Sequence, residues 1–144
     1  LQPWYENVGK RQVKAPKIYF RDTGLFHSLL DIGDYHTLLG HSKIGASWEG
    51  FALEQVLQIL PSIQPYFWAT YSGAELDLVF LFKGKKYGIE IKFNEAPQLA
   101  TSMRAAFDAL NLKHLWIIYP GEHIYPITEH FTAFPLQKIA ELSL

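Results

Sequence analysis

Asp77, Glu90 and Lys92 are the residues whose types and spacing could do chemistry in this 144-residue chain. Two carboxylates and an ammonium group are what phosphodiester hydrolysis by a hard divalent cation requires. Magnesium and manganese prefer carboxylate oxygens, commonly one or two per ion, and fill the remaining positions with water. A neighbouring lysine can orient the attacking water and offset charge on the scissile phosphate. The same three side chains also fit a solvated sheet face, where cross-strand ion pairs are ordinary.

The elements around them decide whether these side chains can meet. Ala74 to Phe82 and Lys85 to Phe93 read as strands, with Lys83-Gly84 as a two-residue turn. If Phe82 faces Lys85, Asp77 falls opposite Glu90, and alternation places Lys92 on the same face as Glu90. Leu76, Leu78, Phe80, Ile89, Ile91 and Phe93 then form the opposite, apolar face. A loop one residue longer would turn Glu90 away. Glu49 is a fourth candidate, because Leu53, Val56 and Leu60 follow it along one helical stripe. It can reach a site beside the sheet from the helix start, or simply complement the helix dipole there.

Further out, Lys17 to Arg21 predicts a short strand, and Asp22 caps a helix through Leu30 that ends at the Asp31 to Asp34 turn. Tyr35 to Ala46 reads as loop or broken helix. Ser47 is placed to cap a helix from Trp48 to Leu60, with Pro61 stopping it. Tyr66 to Tyr71 makes a first strand before the hairpin. Pro97 starts a helix whose stripe of Leu99, Met103, Ala106, Phe107 and Leu110 runs to Asn111. Leu115 to Tyr119 reads as a strand buried on both faces, His123 to Ile127 adds another, and Phe134 to Leu142 closes as a helix. The fold class is α/β, a mixed sheet flanked by helices, with the core order helix, three strands, helix, strand. Residues 1–46 form a basic segment and short helices packed on a core of residues 47–144, one structural domain in all.

Composition narrows the function classes. With 49% hydrophobic residues the chain can bury one full core. No cysteine is present, so disulfides and thiolate zinc sites are excluded. No apolar run is long enough to span a membrane, and a cytoplasmic setting is expected. The chain starts at Leu1 with no signal-peptide pattern, and is read as a fragment of a longer protein. A net charge of -1 disfavours bulk electrostatic capture of nucleic acid. Lys10, Arg11, Lys14, Lys17 and Arg21 nevertheless stand against Glu6 alone in the first 21 residues, a candidate DNA-binding patch or a solvated face. The six histidines lack metal-ligand spacing, the serines lack a nucleophile elbow, and the aromatic residues fit a core better than a base-stacking platform.

Gly73-Ala-Glu-Leu-Asp77-Leu-Val-Phe followed by Gly88-Ile-Glu90-Ile-Lys92 resembles the PD-(D/E)XK nuclease superfamily, which carries an Asp on one strand and Glu-x-Lys on the next. The resemblance covers Ser47 to Tyr119, although Leu76 stands where the motif proline would be. It implies a restriction-endonuclease-like core of α-β-β-β-α-β order and a Mg2+ or Mn2+ ion held by Asp77, Glu90 and Glu49. Lys92 would assist the water in DNA cleavage. Upstream, Lys10-Arg11, Lys14-Ala-Pro-Lys17-Ile-Tyr-Phe-Arg-Asp22-Thr-Gly-Leu and Gly45-Ala-Ser-Trp-Glu49-Gly-Phe resemble the domain that follows an AAA-type ATPase module in many bacterial and archaeal proteins. That resemblance implies a partner ATPase module in the same protein, which alone would bind ATP. The competing expectation is a catalytically silent module of the same fold that binds DNA, docks protein or oligomerises.

Overall fold

The computed structural model describes residues 1–5, 12–60 and 62–144. Seven strands form one mixed sheet in the order β1-β2-β3-β4-β5-β7-β6. β2 (Tyr66–Ala69), β3 (Glu75–Phe82) and β4 (Lys85–Ile91) make an antiparallel meander, while β5 (His114–Tyr119) runs parallel to β4. β7 (Phe131–Pro135) continues parallel to β5 and pairs antiparallel with β6 (Tyr125–Thr128); β1 (Gln2–Pro3) lies parallel to β2. Among the described residues four α-helices accompany the sheet: α1 (Thr23–Leu29), α2 (Tyr35–Gly40), α3 (Ile44–Ile59) and α4 (Thr101–Leu110). The order α3, β2, β3, β4, α4, β5 realises the expected helix, three strands, helix, strand. Among the described residues, no helix is long and apolar enough to cross a membrane.

Both faces of the sheet are buried, so the expectation of a single apolar side is corrected. Ala52, Leu53 and Val56 of α3 pack with Leu78, Phe80, Ile89, Ile91 and Ile118, together with a terminal 3₁₀ helix (Leu136–Glu141). On the other face Met103, Ala106 and Leu110 of α4 cover Leu76, Val79, Leu115 and Ile117. Burying a Leu, Ile or Phe side chain contributes about 1.5–3 kcal/mol, so these two layers hold the sheet in place.

Leu76 changed sides because β3 contains a bulge. Tyr66 pairs Val79 but Trp68 pairs Leu76, so Asp77 and Leu78 together face the single residue Phe67. An extra residue on one strand breaks the alternation and re-aims the side chain at that point. That residue pair includes the candidate Asp.

The local signals acted as their chemistry predicts in several places. Asp22 caps α1 by accepting from the N–H groups of Gly24 and Leu25. Lys83 and Gly84 both adopt positive φ, as a two-residue hairpin requires, and Phe82 does pair Lys85. Asn111 ends α4 in the left-handed conformation. Elsewhere tertiary contacts prevailed. Lys17 to Arg21 has no regular structure, Tyr35–Gly40 is a helix capped by Asp34, and α3 begins at Ile44. Ser47 is therefore inside α3, where its buried hydroxyl meets His27 Nε2 at 2.6 Å. The expected stop at Pro61 falls outside the described residues, and α3 ends just before it, with Leu60 as its C-cap. α4 starts at Thr101 rather than Pro97. The expected final helix is replaced by β7 and the 3₁₀ helix, because Phe131, Ala133 and Phe134 complete the sheet beside β5.

Candidate functional site, an acidic cluster at the fork of two strands

The paired register of β3 with β4 runs from Phe82 and Lys85 to Leu78 and Ile89. At the next position Asp77 Oδ2 accepts the backbone N–H of Ile91 at 2.8 Å. The bulge thus lays the carboxylate into the gap between the two strands. Glu90 and Lys92 follow on β4 and its extension, and Lys92 Nζ reaches Glu90 Oε1 at 2.6 Å. From the α3 side Glu49 enters beside Leu53 and Val56, which are buried as the stripe predicts.

The four expected residues therefore come together: Asp77 experiences the fields of Glu90 and Glu49, and Lys92 those of Glu90, Asp77 and Glu49. Two further residues, absent from the expected set, complete the cluster. Glu75 pairs with Lys17, and Tyr19 donates its hydroxyl to Glu49 Oε1 at 2.5 Å. The alternation Lys17-Ile18-Tyr19 held the signal for both contacts, since an extended segment presents residues two apart on one side. Ile18 between them is 92% exposed.

Of the five basic residues expected to form a patch, Lys14, Lys17 and Arg21 lie among the described residues. Lys17 Nζ stands 3.6 Å from both Glu49 Oε1 and Asp77 Oδ1, so it neutralises the cluster rather than facing solvent phosphate. Arg21 pairs with Glu54 at 3.3 Å, and Lys14 is exposed. Lys10 and Arg11 lie outside the described residues.

Charge at the site does not balance. Glu49, Glu75, Asp77 and Glu90 face the ammonium groups of Lys17 and Lys92, leaving a deficit of two positive charges when all are ionised. Asp77 and Glu90 are 6% and 5% exposed, so water does little to screen them. Burial first, then the fields of Glu90 and Glu49, push the Asp77 carboxyl up to about 8, against the opposing pull of the Ile91 N–H and Lys17. Burial raises Glu90 as well and outweighs the Lys92 ammonium, with Glu75 adding to the rise. Burial alone would lower Lys17 and Lys92, but their carboxylate partners carry both above the usual lysine value. The Tyr19 hydroxyl is raised by burial and by its bond to Glu49, and it stays protonated.

Glu90 Oε2 is buried with no hydrogen-bond partner among the described residues. A carboxylate oxygen left this way costs free energy unless a cation or donor reaches it. The orphaned oxygen, the pair of buried carboxylates and the charge deficit fit a hard divalent cation bound by Asp77 and Glu90 with water. Among the described residues no three His, Cys, Asp or Glu side chains already form a ligand set. Glu49 Oε1 accepts from Tyr19 and lies 3.6 Å from Lys17 Nζ. A cleft of about 200 Å3 between Ile18 to Phe20, Thr23, Phe26 and α3 has Glu49 in its wall.

The family model described as "Domain of unknown function (DUF4143)" matches residues 44–139, which includes Glu49, Asp77, Glu90 and Lys92. A second, "Domain of unknown function (DUF8612)", matches residues 1–36, the part that supplies Lys17 and Tyr19. The chain is 48% identical over 139 residues to the uncharacterized proteins Rv2008c of Mycobacterium tuberculosis and Mb2031c of Mycobacterium bovis. Those matches cover 96% of this chain but 32% of each mycobacterial protein, so the chain spans about a third of its relatives' length. No solved structure matches. With two-thirds of its residues inside one family model, the chain belongs to the DUF4143 domain family.

Proposed function

We propose that this domain is a metal-dependent DNA endonuclease module working alongside an AAA-type ATPase module of the same protein. The observation that carries this reading is the unbalanced, buried pair Asp77 and Glu90, with an orphaned oxygen on Glu90 and the ammonium of Lys92 at 2.6 Å from the same carboxylate. Asp77 and Glu90 would hold a Mg2+ or Mn2+ ion, which would supply Lewis-acid chemistry by lowering the pKa of a bound water and offsetting charge on phosphate. Lys92, with 45% of its side chain exposed, reaches from Glu90 to solvent and orients the water at the phosphate. Glu49 tightens the acidic wall from α3. The ATPase partnership rests on the resemblance of Lys14 to Leu25 and Gly45 to Phe51 to the domain that follows such modules. It is compatible with mycobacterial relatives about three times as long.

The test is Mg2+ or Mn2+ titration with cleavage of plasmid, linear and branched DNA, using the full-length protein beside Asp77→Ala and Lys92→Ala. Metal-dependent cutting lost in both variants supports the reading. Absence of both metal binding and cleavage with the ATPase part present removes it.

A second reading is favoured by the closure of the site. The two carboxylates are nearly inaccessible, while Tyr35, Phe51 and Phe93 are exposed around an apolar cleft of about 330 Å3 that Trp48 also lines. A silent module of the same fold, docking on DNA or protein or pairing with a second copy, would use that surface and leave the acids unused.

A further inference from the structure

We propose that the Lys17 ammonium is an exchangeable counter-cation, which holds the acidic cluster closed and is displaced when a divalent cation binds; this rests on the metal-site reading above. The geometry is that of a cation already in place. Lys17 Nζ pairs with Glu75 and lies 3.6 Å from an oxygen of Glu49 and 3.6 Å from one of Asp77. Carboxylates arriving from α3, from the start of β3 and from its bulge thus share one positive charge. A divalent ion needs oxygens at roughly 2.0–2.6 Å, much closer than an ammonium at these distances, and the same lone pairs cannot serve both at full strength.

The exchange needs movement of the Lys17 side chain and not of its backbone. Residues 16–20 lie in no strand or helix, and among the described residues the Lys17 backbone is held by Leu1 alone, its N–H donating to Leu1 O at 3.0 Å and its carbonyl accepting from the Leu1 ammonium at 2.6 Å. Upstream the segment is fastened to β2, where Val13 N donates to Ala69 O at 2.9 Å and Trp68 Nε1 donates to Gln12 Oε1 at 3.0 Å. Downstream Asp22 anchors it at the start of α1. Between these fixed points the hold on the cluster is ionic or polar: the Lys17 contacts and the Tyr19 hydroxyl on Glu49. An ammonium on a four-carbon stem can swing out with little backbone change. Once out, it is free to meet an anionic phosphate, so metal and nucleic acid favour the same open arrangement. Lys17 is in this sense a positioning residue that sets metal affinity.

The experiment is Mn2+ titration by calorimetry on the wild-type chain and on Lys17→Met and Asp77→Asn, with Lys17 followed separately by its side-chain nitrogen resonance as wild type is titrated with Mg2+. The expected result is Mn2+ binding at least about tenfold tighter in Lys17→Met, loss of binding in Asp77→Asn, and loss of the ion-paired Lys17 resonance as Mg2+ saturates. Wild-type binding that is equalled or exceeded in weakness by Lys17→Met, or a Lys17 resonance unchanged through Mg2+ saturation, overturns the exchange and leaves the metal site standing. Failure of both wild type and Lys17→Met to bind either ion removes the metal site and the exchange together. The resonance needs no variant, so a Lys17→Met chain that failed to fold would still leave that decisive measurement on wild type.

Discussion

Asp77 Oδ2 and the backbone N–H of Ile91 are joined at 2.8 Å across the point where β3 leaves β4. A side chain here does work that a strand carbonyl does along the regular ladder. Asp77 is consequently both a structural acceptor and an acid pushed well above the usual carboxylate range, and its two roles predict different behaviour with pH.

Because the folded-state Asp77 carboxyl is raised to about 8 and that of Glu90 is also raised, the folded chain holds protons that the unfolded chain has released. Their contribution is fully present below the unfolded carboxylate value near 4 and is lost as pH rises through about 8. Metal-free stability should fall between pH 5 and pH 8 by at least about 1.4 kcal/mol, the equivalent of one pKa unit. Asp77→Asn, which keeps an acceptor for Ile91, should flatten that slope. Urea unfolding in EDTA at both pH values measures it; a wild-type stability that rises toward pH 8 contradicts the assignment.

Lys92 and Asp77 should separate in kinetics if the domain cuts DNA. Lys92→Ala should lower the cleavage rate by about 10²–10⁴-fold, the usual range for a lost proton-handling or water-orienting group, while metal still binds. Asp77→Ala should lose both. Single-turnover cleavage paired with calorimetry decides the matter, and equal loss of metal binding in the two variants would assign Lys92 to holding the carboxylates alone.

Tyr19→Phe removes one neutral donor from a carboxylate and leaves the ring in place. The cost should be about 1.5–3 kcal/mol, as for a hydrogen bond to a charged group. Limited proteolysis should then cut the 14–20 segment faster than in wild type. An unchanged digestion pattern would mean that the Lys17 ion pairs and its backbone bonds to Leu1 fasten the segment without the Tyr19 hydroxyl.

Gly88 offers a test of the sheet that leaves the acids untouched. A Cβ there would lie 2.8 Å from Leu112 Cδ1 and 2.8 Å from Leu76 Cδ2. Gly88→Ala should destabilise by about 1–3 kcal/mol through overpacking. The melting temperature should drop by about 3 °C for each kcal/mol in a domain of this size. No change on thermal melting would show that the α4 layer is looser than its burial indicates.

Much of the fold was legible because local chemistry and tertiary need agreed. The hairpin turn demanded positive φ and had Gly84; α1 needed a cap and had Asp22; the stripe of α4 buried Met103, Ala106 and Leu110. Hairpin counting brought Asp77 beside Glu90 and Lys92, as the cluster has it. The bulge was not legible, since alternation alone cannot reveal one extra residue opposite Phe67. The meeting of Lys17 with Glu75 was missed for a related reason. A lysine in a basic run looks solvated until the acids it meets, some 30 to 60 positions away in sequence, are folded against it.

The bulge also divides β3 into two stretches that are out of phase. Before it Leu76 serves the α4 layer; after it Leu78 and Phe80 serve the α3 layer while Val79 returns to α4. Asp77 occupies the phase boundary. Deleting one residue there would bring the strand back into step and bury a different set of side chains, so the acid cannot be lost by a slip without the core registering it. The position of the site and the packing of both layers are thereby inherited as one unit.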